Sequence, residues 1–351
     1  MLGTSHSWAV TMRNLLASFD KMGHELYLNS INGYELFPKA WQNKRRNADS
    51  ADIDISYTLP RNFKSRFKDS SRLKLGIYNY ETSILPAEWK DCIRHIDYAL
   101  PSSNFSKEVF VTAGWPEDKC VVIPHGITPE DFLSKKRLRL GNDKRFRFLN
   151  VSIPHYRKNI DILLDAYYSA FTSYDDVCLV LKTSLKAPKN YFESNVKRQI
   201  NLVQRKHKGR KDLPQVEIIE KRLDSMVPLY NSCNCLVSSS SSEGFGLPML
   251  EALAADMIVI SPNFSGQLDF LNKENSLLVD FDVINADRKY QYWKPSPGAL
   301  TSIPKKQSLM EAMLSAYNNE VALKAKFDHE RSVSVRKFTW ENAAKKILDL
   351  T

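Results

Sequence analysis

Glycine is scarce in this sequence, and its scarcity argues against two large classes of nucleotide-binding protein. The 351 residues include 12 glycines, and the one G-x-G triplet is Gly244-Phe245-Gly246. A nicotinamide or flavin Rossmann enzyme needs G-x-G-x-x-G after its first strand, where the backbone approaches the pyrophosphate. That motif is absent, and so is the G-x-x-x-x-G-K-[ST] loop of P-loop proteins. Any nucleotide site in this chain must therefore be built in another way.

The sequence also lacks long apolar runs, and its number of cysteines is odd. No stretch of 18 apolar residues is present, so the sequence predicts no membrane-spanning helix. The first residues, Met1 to His6, lack the charged and apolar regions of a signal peptide. The five cysteines are an odd, scattered set, which predicts reduced thiols in a cytosolic protein and disfavours a metal site.

Positive charge is in excess, with a formal net charge of +10. The basic residues concentrate at 44–46, 61–74, 135–139 and 205–211. Nucleic-acid binding is disfavoured because zinc, helix-turn-helix and aromatic-interleaved strand motifs are absent. Phenylalanines alternate with cations early in the second segment, which predicts a peripheral contact between Arg61–Lys74 and an anionic membrane surface. For each cluster alone, a solvated surface is the alternative. The expected location is cytoplasmic, and peripheral attachment to the inner face of the membrane is the open alternative.

Short apolar runs alternate with helical patterns along the chain, which is typical of parallel sheets covered by helices on both faces. In the second half, the predicted strands are 147–151, 177–181, 216–219, 235–237, 257–260 and 277–279, and the predicted helices include 160–171 and 223–230. In the first third, the prediction is a helix at 8–19 and strands at 25–28, 53–56, 75–78 and 120–123. The chain therefore reads as two doubly wound domains joined near 132–143, with ligands expected at the carboxyl ends of the strands.

One string carries most of the chemical information. Glu243 and Glu251 lie eight positions apart, across a glycine-rich loop that opens into a helix with Pro248 at its first position. Gly244 and Gly246 allow a sharp bend and a close ligand approach, and the N–H groups at a helix start favour an anion such as a phosphate. Two carboxylates beside a phosphate cradle suit a nucleotide-sugar. A capped amphipathic helix with one solvated carboxylate is the plainer alternative.

The full string, Glu243-Gly244-Phe245-Gly246-Leu247-Pro248 followed by Glu251-Ala252, resembles the signature of the retaining glycosyltransferases of family 4, which have the GT-B fold. The likeness covers nearly the whole chain. Further matching segments are Pro101–Phe105, Ile123–Ile127, Phe148–Val151, Arg157-Lys158-Asn159, Leu229-Tyr230 and Phe338–Ala343.

The resemblance implies an α/β fold of two doubly wound, Rossmann-like domains that face a central cleft. Residues 1–132 would form the acceptor-side domain, 143–335 the donor domain, and a helix in 336–351 would cross back to the first domain. The implied activity is retaining transfer of a hexose from a UDP-, GDP- or ADP-sugar to a hydroxyl of a glycan, a lipid-linked glycan or a polysaccharide. No metal or other cofactor is expected.

The resemblance also assigns roles to individual residues. Glu251 would bind the ribose diol, and Glu243 would contact hydroxyls of the donor sugar. Lys158 would bind the diphosphate and stabilise charge as it leaves. The loop residues around the helix start would hold sugar and phosphate oxygens mainly through their backbone; these are Gly244, Phe245, Gly246, Leu247 and Pro248.

The sequence departs from the family pattern in three places. Ser152-Ile153 stands where the family has Gly-Arg, so a bidentate arginine is missing and Arg157 is the candidate replacement. Glu81 is the candidate for the histidine that many members carry in the first domain, because His125 is expected to shape the domain junction instead. Gly3 would lie in the donor-binding loop after the first strand, and that strand has no residues here. We expect either an upstream start codon or an absent central strand.

Two other functions remain open at this point. A sugar-nucleotide epimerase can share the fold, although the glycine-rich string fits it poorly. A non-catalytic nucleotide-sugar binder is favoured by Ile153 and by the missing strand, and it would bind nucleotide without releasing diphosphate from a donor.

Overall fold

The computed structural model describes residues 7–28, 41, 51–67, 70–183, 196–286 and 295–351. Its internal contacts divide the chain into two units. The first comprises Met1–Tyr80, Leu85–Ile127 and Lys337–Thr351, and the second comprises Glu81–Ile84 and Thr128–Arg336. The segment expected to join the domains, 132–143, is counted with the second unit. Gly3 lies outside the described residues.

The first unit contains a parallel sheet in the order β1-β2-β3, formed by Ile53–Tyr57, Leu73–Ile77 and Tyr98–Leu100. The first two strands are confirmed to within two residues. The strands predicted at 25–28 and 120–123 are wrong, since neither run enters a ladder in the described part of the chain. The second of these runs instead lies beside β3 through isolated backbone bonds, which leaves it extended but outside the sheet.

Helices complete this unit. Helix α1, Ser7–Lys21, buries Ala9, Met12, Leu15 and Phe19 on one face, which is the periodicity that predicted it. The short α2, Phe63–Arg66, puts the Phe63 ring against Gly76, and a Cβ on that glycine would lie 2.6 Å from the ring. Helix α3 is Asn104–Thr112.

The C-terminal helix is also counted with the first unit. Thr339 caps this helix and the chain passes so close to Gly126 that a Cβ there would lie 2.2 Å from the Thr339 carbonyl carbon. The imidazole of His125 lies 5.8 Å from the Trp340 ring. Burial lowers the pKa of His125 to about 3, so this histidine is neutral and its surroundings are those of a packing residue.

The second unit is built on a six-stranded parallel sheet in the order β6-β5-β4-β7-β8-β9. Every strand predicted from an apolar run in this half is confirmed. The strands are β4 Phe146–Val151, β5 Val177–Lys182, β6 Gln215–Ile219, β7 Cys235–Val237, β8 Ile258–Pro262 and β9 Leu277–Val279. An antiparallel pair that the sequence did not predict follows, β10 Phe281–Asn285 with β11 Leu300–Pro304.

The helices of this unit cover the sheet. They are α4 Ile160–Ala170, α5 Val196–Lys206, α6 Val227–Tyr230, α7 Leu247–Ala254, α8 Lys306–Asn318 and α9 Glu320–Lys337, which continues one residue into the first unit; the last helix of the chain is α10 Trp340–Leu348. The prediction of a helix at 223–230 was too long, because its first half, 223–226, is irregular backbone with bends.

The strand order reverses next to β4, which has β5 on one side and β7 on the other. In open parallel sheets the crevice at such a switch point, outside the carboxyl ends of the strands, is where ligands bind. Here the two strands end at Val151 and Val237. The glycine-rich string and the Arg157-Lys158 pair both follow directly from those ends.

Candidate active site

Two loops, one after β4 and one after β7, are tied together at the carboxyl edge of the sheet. The Asn159 amide donates to the Ser239 carbonyl at 2.9 Å and to Ser241 Oγ at 3.0 Å. Ser239 Oγ donates to the Lys158 carbonyl at 2.7 Å, and the Ser241 N–H donates to the Arg157 carbonyl at 2.8 Å. The serine run before the motif therefore fixes the backbone of the loop that carries the two cations.

Asn159 makes the turn that starts α4. Its φ is 46°, in the left-handed region that asparagine tolerates better than most side chains. The side chains of Arg157 and Lys158, which precede this turn, reach Glu243 on the glycine-rich loop.

Four charged side chains form one cluster. The Lys158 ammonium lies 2.5 Å from Glu243 Oε1, and the Arg157 guanidinium lies 3.2 Å from Glu243 Oε2 and 2.9 Å from Glu81 Oε1. Arg157 also donates to the Ser242 carbonyl. The side chains are between 5% and 18% exposed, so water screens their charges weakly.

Burial and charge compete in setting the pKa values here. Burial alone would raise the pKa of Glu243, but Lys158 and Arg157 overcome it and lower that pKa to about 2. Burial raises the pKa of Glu81 despite Arg157, and burial together with Arg157 lowers the pKa of Lys158. Glu243 is therefore ionised at neutral pH and pairs with both cations.

The second glutamate of the motif has a different partner. Glu251 lies in α7, and its Oε2 accepts a hydrogen bond of 2.5 Å from the Tyr230 hydroxyl. Burial raises the pKa of Glu251 to about 7, while the hydroxyl opposes the rise. Tyr230 belongs to a segment that resembles the family, but its spacing from Glu251 gave no sign that the two side chains are partners.

The start of α7 explains the glycine and the proline. Gly246 has φ 93°, a backbone conformation in which a larger residue would be strained, and a Cβ there would also lie 2.8 Å from Met249 Cε and 3.0 Å from Gln267 Cβ. The helix begins at Leu247, which makes Pro248 its second residue and not its first. Phe245 packs on Phe270, with ring centroids 5.0 Å apart, so its side chain belongs to the interior of the unit.

The structure thus brings together Glu81, Arg157, Lys158 and Glu243. Glu251 lies on the helix that follows the glycine-rich loop, α7, and is hydrogen-bonded to Tyr230 of α6. One assignment needs correction. Glu81 was expected in the first domain, but Glu81–Ile84 is counted with the second unit, where Ser242 Oγ donates to the Glu81 carbonyl and the Ser83 N–H donates to the Leu300 carbonyl. These contacts join segments far apart in sequence, so no local pattern announced them.

The remaining expectations concern metals, thiols and membranes. In the described ranges no group of three or more His, Cys, Asp or Glu side chains is placed to hold a metal ion. All five cysteines are free thiols, as predicted. Across the part of the chain that the structure describes, no helix has both the length and the apolar character needed to cross a membrane.

Part of the chain matches a known family, and the whole fold resembles solved structures. Residues 145–286, most of the second unit, match the family described as glycosyl transferases group 1. No curated protein sequence matches the chain. A solved glycosyltransferase from Rickettsia africae ESF-5 is 14% identical, with 99% of this chain and 82% of that chain covered and a TM-score of 0.63. HepE from Anabaena, solved with UDP and glucose, is 15% identical, with 80% of this chain and 71% of that chain covered and a TM-score of 0.60. A sucrose-phosphate synthase from Thermosynechococcus elongatus is 17% identical, with 85% of this chain and 72% of that chain covered and a TM-score of 0.60.

At these identities, the structural likeness establishes the fold, which is GT-B as the sequence predicted. The likeness of this chain to glycosyltransferases thus rests on two observations, the GT-B fold and the match of residues 145–286. The family match covers less than half of the chain, residues 145–286 of 351.

Proposed function

We propose that this protein is a glycosyltransferase that moves a hexose from a nucleoside-diphosphate sugar to an acceptor hydroxyl with retention of anomeric configuration. The observation that carries the proposal is the buried cluster in which Glu243 holds Lys158 and Arg157 beside the start of α7. Two cations and a helix N-terminus suit a diphosphate, and a freed carboxylate suits sugar hydroxyls. The acceptor is a glycan, a lipid-linked glycan or a growing polysaccharide.

Donor binding would exchange partners within the cluster. The diphosphate would take Lys158 and Arg157 as its charge partners, and Glu243 would turn to hydroxyl groups of the sugar. Ile153 stands where the family has an arginine, and Arg157 would serve in place of that arginine. Glu81 would hold the Arg157 guanidinium in position. Glu251 would accept hydrogen bonds from the ribose diol, and the backbone from Gly244 to Pro248 would contact sugar and phosphate oxygens.

The reaction would then break the bond between the anomeric carbon and the phosphate oxygen. Lys158 and Arg157 would stabilise the negative charge that develops on the departing diphosphate. A phosphate oxygen would accept the proton of the acceptor hydroxyl on the same face of the sugar, while the acceptor oxygen bonds to the anomeric carbon. These reaction steps need neither an enzymic nucleophile nor a metal ion.

A panel of UDP-, GDP- and ADP-sugars tests the proposal. HepE was solved with UDP and glucose, so UDP-glucose is the first donor to try. We expect one nucleotide to raise the melting temperature and its sugar conjugate to release nucleoside diphosphate when acceptor is present. Stereochemistry at the new bond, read by NMR, checks retention.

The same assay distinguishes the alternatives. A non-catalytic binder, favoured by Ile153 in place of the family arginine, would show the thermal shift without diphosphate release. An epimerase would return an altered sugar-nucleotide. Either result would contradict the proposed transfer.

We also propose a peripheral membrane contact through the first unit, in a narrower form than the sequence suggested. Phe63 packs in the interior, so the alternating phenylalanines do not form an apolar face. The cations Arg61, Lys64 and Arg66 are exposed. Lys64→Glu with Arg66→Glu should reduce sedimentation with anionic vesicles, since each cation contributes about 1 kcal/mol near such a surface. Lys208→Glu with Lys211→Glu is the matched control, and equal loss in both pairs would contradict the contact.

A further inference from the structure

A basic segment precedes β4, and neutral contacts hold it in place. We name residues 134–139 the basic strap. The Leu138 N–H donates to the Pro228 carbonyl at 2.9 Å and to Ser232 Oγ at 2.8 Å. The Asn231 amide donates to the Ser134 carbonyl at 2.6 Å and to the Lys136 carbonyl at 3.0 Å. The strap backbone is thus fixed without using any of its charged side chains.

The charged side chains of the basic strap are exposed. Those of Lys135, Arg137 and Arg139 make no ion pair or hydrogen bond with any residue that the structure describes. Arg147 lies nearby and donates only to neutral atoms of Asn142, at 3.0 and 3.1 Å. Four cations are therefore held close to one another without a carboxylate partner.

Two adjoining cavities open beside these cations. Their volumes are about 280 and about 630 Å³, and both are lined by Arg137, Arg147 and Ser232. The smaller one also contains two carboxylates that already have partners: Glu320 pairs with Arg145 and Lys324 at 3.4 and 3.5 Å, and Asp256 pairs with Arg331. The larger one contains Asp143. Positive charge stays in excess in both cavities.

The cavities lie at the opposite edge of the sheet from the donor cluster. Their lining includes Arg145, Arg147 and Asn234, at the amino ends of β4 and β7. The six residues of β4 span about 20 Å at roughly 3.3 Å per residue. A ligand in these cavities would therefore not compete with one bound by Lys158.

We propose that the basic strap and its two cavities bind a phosphate-bearing ligand with more than one negative charge. Arginine forks match phosphate oxygens, and a rigid strap presents three of the cations without first having to be ordered. Within the described part of the chain, no aromatic side chain lines either cavity, so a nucleotide base would find no stacking partner. This chemistry favours an oligophosphate or a phosphorylated headgroup over a nucleotide. The inference is independent of the proposed transfer reaction.

Titration calorimetry with inorganic pyrophosphate tests the site. The whole chain carrying Lys158→Ala serves as the background, because this change weakens anion binding at the donor cluster. Adding Lys135→Ala, Arg137→Ala and Arg139→Ala should weaken pyrophosphate binding about tenfold or more, since an exposed ion pair contributes up to roughly a factor of five. The triple change Arg205→Ala, Lys208→Ala and Lys211→Ala removes the same charge from exposed positions in the same unit and should leave binding unchanged.

Vesicles containing phosphatidic acid, whose phosphomonoester can carry two negative charges, distinguish the two sources of phosphate. Loss of both vesicle and pyrophosphate binding in the strap variant, with the control variant unaffected, assigns the site to lipid headgroups. Loss of pyrophosphate binding alone assigns it to a soluble oligophosphate. If strap and control variants bind pyrophosphate equally, the positive charge is only a solvated surface and the proposal is wrong.

Discussion

Glu243→Gln should lower the rate of glycosyl transfer by about 100-fold or more while free nucleoside diphosphate binds as well as before or more tightly. In the structure Glu243 holds the Lys158 ammonium at 2.5 Å and the Arg157 guanidinium at 3.2 Å. A diphosphate must displace that carboxylate from both cations. The neutral amide removes the competitor and keeps the shape of the side chain, so the nucleotide gains access to the cations.

Transfer should respond in the opposite direction. If Glu243 contacts hydroxyls of the donor sugar as positive charge builds at the anomeric carbon, its loss is felt mainly in the transition state. Single interactions of that kind are worth about 100- to 1000-fold in rate, and the deficit should appear in kcat and not in KM. Calorimetry with free nucleotide and steady-state kinetics on saturating donor measure the two effects separately.

The fold itself provides an internal control for this variant. The pKa of Glu243 is lowered from an ordinary 4.5 to about 2, so its ion pairs stabilise the folded state above the ordinary pKa and lose that effect as the pH falls through the folded one. The difference in unfolding free energy between wild type and Glu243→Gln should therefore shrink from pH 4.5 towards pH 2. Weaker nucleotide binding in the variant, with transfer intact, would mean that Glu243 has no role towards the sugar.

Strands of the second unit could be predicted because each is a short, fully buried apolar run such as Val177–Lys182, and burial on both faces leaves that mark in the sequence. The pair Phe281–Asn285 and Leu300–Pro304 escaped prediction, because its first strand is largely exposed. Residues 25–28 have an apolar pattern but form no strand in the described part of the chain, because a strand also requires a neighbouring strand to which it is hydrogen-bonded.

The candidate site was predictable to a similar degree. The glycine-rich string was singled out because a phosphate cradle needs a particular backbone, and Lys158 was assigned a role because its segment resembles one of the family. The bond from Tyr230 to Glu251, the pairing of Glu81 with Arg157 and the serine contacts that lock the loops were not found. Each joins segments separated by between 21 and about 80 residues, and polar contacts at such distances have no periodicity in sequence.

Glu251→Gln should weaken the binding of free nucleoside diphosphate and of the sugar-nucleotide alike, by about 1.5–3 kcal/mol for lost hydrogen bonds to a charged group. The ribose is common to both ligands, which separates this variant from Glu243→Gln. The pKa of Glu251 lies at about 7, because burial raises it while the Tyr230 hydroxyl opposes the rise. Wild-type affinity should therefore increase between pH 6 and pH 8, as the carboxyl ionises and becomes a better acceptor for the diol.

Tyr230→Phe isolates the hydroxyl that opposes that rise. Without its hydrogen bond at 2.5 Å, the pKa of Glu251 should move higher, so nucleotide affinity falls at pH 7 and recovers at higher pH. Because phosphate groups of the nucleotide also titrate near pH 6, Glu251→Gln is the baseline that reports their share alone. Calorimetry of all three proteins from pH 6 to pH 9 provides the comparison. If the wild type and Glu251→Gln follow the same pH profile, the Glu251 carboxyl does not bind the nucleotide, and its bond with Tyr230 serves the packing of α7 alone.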